Sequence, residues 1–266
     1  MRVLITGASS GMGKTTTLFL AQNGFTVYAG SRTPEKLADV THQNIHPLKL
    51  DITDFQSIKT VVDSIGQIDI LINNAGYGLV SSVEEVDEEQ MQNQFNINVF
   101  GLLRVCKAVI PRMREQKSGI IINISSFLGK IGLPLFTFYN ASKYAVEGIT
   151  DSLRYELRDF DIKVHSIMPG FFDTNFAREN LVTNPHTFGE NSPYKKIVDT
   201  LIPTIAEQIN GGDDTAEVAE LILKIIRDEK FPARVTAGEK ARKFIPMKRE
   251  LSDEDFERRV REYYKL

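Results

Sequence analysis

Cysteine is almost absent from this chain: Cys106 stands alone among 266 residues, which rules out an internal disulfide and fits a reducing compartment. It reads as filler on an apolar helix face, with a reactive thiol as the alternative. An excess of charge of one sign is also missing. Thirty-five acidic against 32 basic residues leave a formal net charge of -3, so no broad cationic field awaits nucleic acid or an anionic membrane. No uninterrupted apolar run approaches the ~18 residues of a membrane span. The first strand-like run begins at Arg2, which leaves no room for a signal peptide, so a cytoplasmic location and a small soluble ligand are expected. The four histidines, His42, His46, His165 and His186, lack metal-ligand spacing; His165 lies in an apolar strand and reads as a satisfied core residue. No metal is expected.

Repeats, low-complexity tracts and Pro/Ser-rich linkers are absent too, and 42% hydrophobic residues are enough for a substantial core, so one domain over 1–266 is expected. Short β-branched runs alternate with segments of helical period. The expected strands are Arg2–Thr6, Thr26–Ala29, Ile45–Leu50, Ile68–Ile72, Gly119–Ile124, Lys163–Ile167 and Arg234–Thr236. The expected helices are Gly13–Asn23, Pro34–Val40, Phe55–Ile65, Glu88–Met113, Phe138–Phe160 and Thr215–Asp228. That alternation predicts an α/β fold with a doubly wound parallel sheet and ligands at the carboxyl ends of its strands. The rhythm breaks at 173–212, where Asn184-Pro185, Ser192-Pro193 and Gly211-Gly212 punctuate the chain. A substrate-covering insertion is expected there, a packing helix pair being the alternative. The tail Arg249–Leu266 mixes charges at helical spacing and reads most simply as a solvated amphipathic helix.

After the first strand come Thr6-Gly7-Ala8-Ser9-Ser10-Gly11-Met12-Gly13 and then a helix. Glycines let the backbone turn sharply and approach a phosphate, and a helix amino terminus offers free N–H groups with a partial positive charge. The spacing G-x-x-x-G-x-G meets the usual dinucleotide fingerprint only loosely. A rival is a relaxed P-loop from Ala8 to Thr15, with Lys14 on phosphate and Thr15 on magnesium. No carboxylate follows Ile68–Ile72 or Ile120–Ile124 to hold that magnesium, since Asn73-Asn74 and Ser125-Ser126 stand there.

In Tyr139-Asn140-Ala141-Ser142-Lys143 a phenol and an ammonium stand one helical turn apart on one face. A fixed positive charge favours the phenolate, so Lys143 is expected to draw the Tyr139 pKa down from about 10. With the glycine loop, Asn73-Asn74-Ala75-Gly76 and Tyr139-x-x-x-Lys143 in that order, the chain resembles the short-chain dehydrogenase/reductase family over roughly residues 2 to 175.

The resemblance implies a Rossmann-type fold and an oxidoreductase. It makes Tyr139 the general acid or base, and gives Lys143 the tasks of lowering its pKa and holding the nicotinamide ribose. A serine would orient the substrate oxygen. Of Ser125 and Ser126, the family's usual separation selects Ser126, thirteen residues before Tyr139, and leaves Ser125 as a backbone-bonding or packing residue. Asn98, in a stretch matching the family's N-V-x-G pattern with Val99 and Gly101, would interrupt its helix and position a water against the lysine. For the cofactor, the resemblance assigns Gly7, Ser9, Ser10, Gly11, Met12 and Gly13 around the phosphates. It sets Asn74, Ala75 and Gly76 along the adenosine side and Asp51, followed by Ile52, at the adenine. Asp51 has a second reading as a turn cap. Pro169, Gly170 and Thr174 would bracket the nicotinamide amide. Phe171 and Phe172 read equally as core aromatics.

The residue just beyond the second strand selects between NAD and NADP, because an acid there repels a 2'-phosphate. Ser31 and Arg32 occupy that place, and a hydroxyl beside a planar guanidinium suits the phosphate, so NADP(H) is expected over NAD(H). Leu133, Leu135, Phe136, Phe138, Phe176 and Tyr194 suggest apolar pocket walls and hence a lipophilic carbonyl or alcohol substrate. Family members commonly pair through the two long helices, so a homodimer or homotetramer is implied. The alternative function is an NADP(H)-sensing protein that binds a partner without turnover.

Overall fold

The computed structural model describes residues 1–174 and 180–266. In chain order its strands are β1 (Arg2–Thr6), β2 (Thr26–Ser31), β3 (Ile45–Lys49), β4 (Ile70–Asn73), β5 (Gly78–Val80), β6 (Gly119–Ile124), β7 (Ile162–Pro169), β8 (Leu181–Thr183) and β9 (Arg234–Ala237). The helices are α1 (Gly11–Gln22), α2 (Phe55–Ile65), α3 (Glu88–Phe95), α4 (Leu102–Gln116), α5 (Thr137–Glu156), α6 (Lys195–Asn210), α7 (Ala216–Arg227), α8 (Gly238–Glu250) and α9 (Asp253–Tyr264).

Seven strands form a parallel sheet in the order β3-β2-β1-β4-β6-β7-β9. This is a Rossmann-type doubly wound sheet. Its winding reverses between β1 and β4, and the crevice at such a switch point, beyond the carboxyl ends of the strands, is where ligands enter. Central strands of a parallel sheet are covered on both faces, so they read as continuous apolar runs. Accordingly Val3, Leu4 and Ile5 on β1 and Ile70, Leu71 and Ile72 on β4 are at most 1% exposed. One core layer joins this sheet to α1 and α7, and the other joins it to α2, α4 and α5.

A third apolar layer lies beyond the strand ends. It gathers Phe127, Leu128, Leu133, Leu135 and Phe136 from the segment before α5 with Val198, Leu201 and Ile205 of α6, Phe244 of α8, and Phe256, Val260 and Tyr264 of α9. The tail is therefore amphipathic as expected but not simply solvated: its inner face, at i, i+4 and i+8, is buried. Ser252 caps it, accepting from Asp255 N at 3.1 Å. Leu133, Leu135, Phe136 and Phe138, expected as pocket walls, are all buried, and the first three belong to this packed layer. Tyr194 packs against it and donates its hydroxyl to Glu84 at 2.9 Å, while Phe176 lies outside the described residues.

The segment 173–212 contains β8, which pairs with β5 as a small second parallel sheet, and the sixteen-residue helix α6. The helix expected at Pro34–Val40 is a single 3-10 turn, Pro34–Leu37. The long helix expected at Glu88–Met113 is interrupted: α3 passes into a π-helical turn, Asn96–Gly101, before α4 begins.

Candidate active site

The glycine loop joins β1 to α1 at the switch point. Gly7 and Gly11 have φ of 66° and 47°, in the left-handed region that glycine enters without strain. At Gly13 the requirement is close approach, since a Cβ would stand 2.2 Å from Gly7 O and 2.5 Å from Asn74 Nδ2. Ser10 caps α1 without a side-chain bond, so the first N–H groups of the helix, from Gly11, Met12 and Gly13, point out of its end without an intrahelical partner. Ser9 and Ser10, both half-buried, complete a cradle that fits a pyrophosphate. Lys14, the lysine of the P-loop rival, is instead paired with Asp39 at 2.7 Å, and Thr15 bonds Thr215 at 2.8 Å. Substituting Gly13→Ala should weaken dinucleotide binding at least ~100-fold and lower Tm, because the loop and Asn74 must both shift. Fluorescence titration and a thermal melt check this; parent-like binding would show that the loop holds no dinucleotide.

Asn74 fastens the loop to β4. Its Nδ2 donates to Thr6 O and Gly7 O, each at 3.0 Å, while Asn74 N and Ala75 N both donate to Thr6 Oγ1. Gly76 lies between two further residues of interest: a Cβ there would stand 3.1 Å from Asn98 Oδ1 and 3.7 Å from Lys143 Nζ. Asn98 sits inside the π-turn, the kind of helix defect that recurs at functional sites. Its Oδ1 accepts from Tyr77 N at 3.0 Å, and its Nδ2 donates to Tyr77 O at 2.9 Å and Ser142 Oγ at 3.0 Å. The side-chain amide is thus committed to clamping Tyr77 and Ser142. Gly101, at the end of the turn, makes room for Ile52, whose Cδ1 would lie 2.6 Å from a Cβ.

Ser126 follows β6 and caps a short 3-10 turn, its Oγ accepting from Leu128 N at 3.1 Å. Ser125 donates its backbone N–H to Ile167 O, but its buried Oγ finds no hydrogen-bond partner among the described residues. Tyr139, half-buried in the first turns of α5, packs its ring edge-on to Phe136 at 6.5 Å between centroids. Lys143 is 6% exposed; its Nζ donates to Ile124 O at 2.9 Å and lies 5.8 Å from the Tyr139 ring centroid.

Burial dominates the electrostatics of this pair. It pushes the Tyr139 phenol up to about 12, against a lowering hydrogen bond with Ser126. It also pushes the Lys143 ammonium down to about 8, opposed by the charge of Glu147. The downward shift expected for Tyr139 from its lysine neighbour is therefore reversed. Desolvation of the phenol outweighs a cation that is itself desolvated and tied to a carbonyl.

The remaining expected contacts divide. Pro169 ends β7, and Gly170 N donates to Ala237 O at 2.8 Å where α8 closes over it. Thr174 reaches the glycine loop, its methyl 3.3 Å from where a Gly11 Cβ would be. Phe171 and Phe172 are buried core aromatics. Ser31 Oγ accepts from Thr33 N at 3.1 Å, and Arg32 beside it is exposed. Asp51 caps a turn with Oδ1, accepting from Thr53 N at 2.9 Å and Thr53 Oγ1 at 2.7 Å. Partial burial raises its pKa, but those bonds and the nearby Arg32 charge win and hold it below the usual carboxylate range. His165 is satisfied by Pro232 O at 3.0 Å, and Cys106 is buried with its thiol pushed up to about 12 by desolvation.

Sequence reasoning passed over Tyr77, Ser142 and Glu147. Ser142 ties Asn98 to α5, accepting from its amide and donating to Tyr139 O at 2.7 Å. Its place beside Lys143 was the available signal.

With this geometry in view, comparison with known proteins is decisive: residues 1–184 match the family model described as short chain dehydrogenase. The chain belongs to this short-chain dehydrogenase family. Family membership makes it an oxidoreductase relative of reductases such as the 3-ketodihydrosphingosine reductase of Bacteroides thetaiotaomicron. The two are 37% identical over 240 residues, covering 89% of this chain and 87% of that protein. A 3-oxoacyl-[acyl-carrier-protein] reductase of Thermotoga maritima is 39% identical over 181 residues, 64% of this chain and 74% of its own length. Among solved structures, a short-chain dehydrogenase from Streptomyces avermitilis superposes with a TM-score of 0.83 at 32% identity, covering 99% and 97% of the two chains. One from Burkholderia cenocepacia, in complex with NADP, gives 0.76 at 26% identity over 96% and 94%. Among the described residues of this family member, no helix is long and apolar enough to cross a membrane.

Proposed function

We propose that this short-chain dehydrogenase interconverts a carbonyl and an alcohol on a lipophilic small molecule, with NADP(H) as its redox partner and Tyr139 as general acid or base. One observation carries the reading: Ser126, Tyr139, Lys143 and Asn98 converge beside the switch-point crevice that the glycine loop opens. The glycine loop, Asn74–Gly76, Pro169, Gly170 and Thr174 would hold the dinucleotide, which would supply the hydride when bound.

The chain's own residues handle the oxygen. Ser126 and Tyr139 donate to the carbonyl oxygen and orient it, and the apolar layer around Leu133 and Phe136 excludes water. As the oxygen gains negative charge, Tyr139 gives up its proton. The phenol is a stronger acid than an aliphatic alcohol, so it is a willing donor to the developing alkoxide. Lys143 then faces the new phenolate with its ammonium and holds the cofactor ribose. Both Nδ2 hydrogens of Asn98 are used on Tyr77 O and Ser142 Oγ, so a water between it and Lys143 would be held through the remaining lone pair of Oδ1. The reverse sequence oxidises an alcohol.

Arg32 and Ser31 support the choice of NADP(H), as does the absence of an acid at the end of β2. With Oδ1 of Asp51 capping the turn, Oδ2 would take the adenine amino group, and Ile52 would line the same side. Arg32→Ala should weaken NADPH binding ~10-fold or more while changing NADH by less than ~2-fold, the loss of one charge-assisted contact. Equal weakening in paired calorimetric titrations would remove Arg32 from 2'-phosphate recognition.

A lipophilic substrate is supported by relatives named as 3-ketodihydrosphingosine reductase and 3-oxoacyl-[acyl-carrier-protein] reductase. We place the whole of 1–266 in one nucleotide-binding domain with 173–212 covering the substrate, in the cytoplasm, as a homodimer or homotetramer. Exposed Phe100, Leu103 and Tyr155 on and beside α4 and α5 support pairing through those helices. The test is NADPH consumption with a panel of long-chain ketones and aldehydes. Bound NADPH with no consumption across the panel would favour a sensing protein.

A further inference from the structure

Glu147 is a carboxylate, 2% exposed, in the middle of α5. Buried charges are held by partners, and this one has three. Ser166 of β7 donates its hydroxyl to Oε1, Arg234 of β9 donates Nε to Oε2 at 2.7 Å, and Lys130, from the segment before α5, approaches Oε2 at 3.3 Å. Arg234 also pairs with Asp151, one turn further along α5, at 2.6 Å. The cluster therefore balances two carboxylates with two cations.

Lys143 stands one helical turn before Glu147 on the same buried face. Its ammonium is anchored to Ile124 on β6, whereas Glu147 is anchored to Ser166 on β7. Those anchors are neighbours: Ser166 pairs with Asn123, the residue before Ile124, and adjacent strands lie about 4.8 Å apart. The other groups facing Lys143 are Tyr139 on its own helix and Gly76 with Asn98 across the crevice.

We propose that Glu147 is a positioning residue for Lys143, its carboxylate keeping the ammonium charged and aimed at the carboxyl end of β6. The catalytic consequence rests on the proton-transfer reading above. Burial alone drives Lys143 toward the neutral amine, and the Glu147 charge opposes it. A merely structural tie between α5 and the edge strand β9 would contribute stability without touching Lys143.

The test follows the Lys143 ammonium directly by NMR of the full chain carrying 13Cε-labelled lysine, without dinucleotide. Loss of one resonance in Lys143→Met assigns it. Glu147→Gln should lower its titration midpoint by about one pH unit. Lys130→Gln, a half-exposed change that spares the fold, should raise it by freeing Glu147 from a competing cation. With an accepted carbonyl, the alkaline limb of turnover should move with the midpoint, so that lower pH rescues Glu147→Gln. A fall in Tm with both midpoints unmoved overturns the proposal. Midpoints that move in a protein that reduces no carbonyl support the coupling while sinking the catalytic reading; unmoved midpoints in an active enzyme sink the coupling alone.

Discussion

Tyr139→Phe is expected to lower turnover of any accepted carbonyl at least ~1,000-fold while changing the dinucleotide Kd by less than ~2-fold. The ring stays, so its packing against Phe136 and the apolar layer survives; only the proton leaves. Ser126 cannot replace it, because an aliphatic hydroxyl is a far weaker acid than the phenol it faces. Single-turnover absorbance of the nicotinamide, with calorimetry of cofactor binding, checks both halves. Retained turnover would refute the general-acid assignment. A parallel collapse of binding would mean that the phenol mainly holds the cofactor.

Lys143→Met should split activity from stability. Turnover should fall ~100-fold or more, since the phenolate loses its counter-charge. In the fold the ammonium ionises near 8, against about 10.4 in an unfolded chain. Below pH 8 the native state therefore carries a proton that burial disfavours, at a cost of about 3 kcal/mol. Between pH 8 and 10.4 the native lysine sheds this proton while the unfolded chain keeps it, so parent stability rises through that window. The stability of Lys143→Met relative to the parent should accordingly drop by about 3 kcal/mol from pH 7 to pH 11. The lost bond to Ile124 O offsets part of the variant's advantage at every pH. Urea melts across that range decide it; a difference independent of pH would show that Lys143 is carried at no cost.

The sheet was legible because parallel strands buried on both faces are short apolar runs bounded by turn residues, and each expected strand is found to within two residues at either end. Legibility was weaker beyond the sheet. Pro203 lies inside α6, which was foreseen only as part of an alternative helix pair, and Pro246 inside α8, which went unforeseen; in both, tertiary packing of Val198, Leu201, Phe244 and Ile245 outweighs the local penalty. Three-residue β5 and β8 have too little pattern to read. At the site, residue types and order were visible, but not desolvation. Nothing in the sequence near Tyr139 says that it packs against an apolar layer which also draws on α6, α8 and α9, nor that burial raises its pKa. Asp51 shows its reading as a turn cap, one oxygen accepting from Thr53 N and Thr53 Oγ1.

The π-turn at Asn96–Gly101 sets the phase of everything after it. Each residue of a helix turns the chain by about 100°, so one residue more or fewer here would rotate Val105, Cys106, Val109 and Met113 off the sheet or swing Asn98 away from Tyr77. Away from Asn98 and Gly101, the chain between the start of α3 and the apolar stripe of α4 can therefore vary in composition but not in length. In this stretch an alignment gap would carry as much functional meaning as a substitution of either of those two residues.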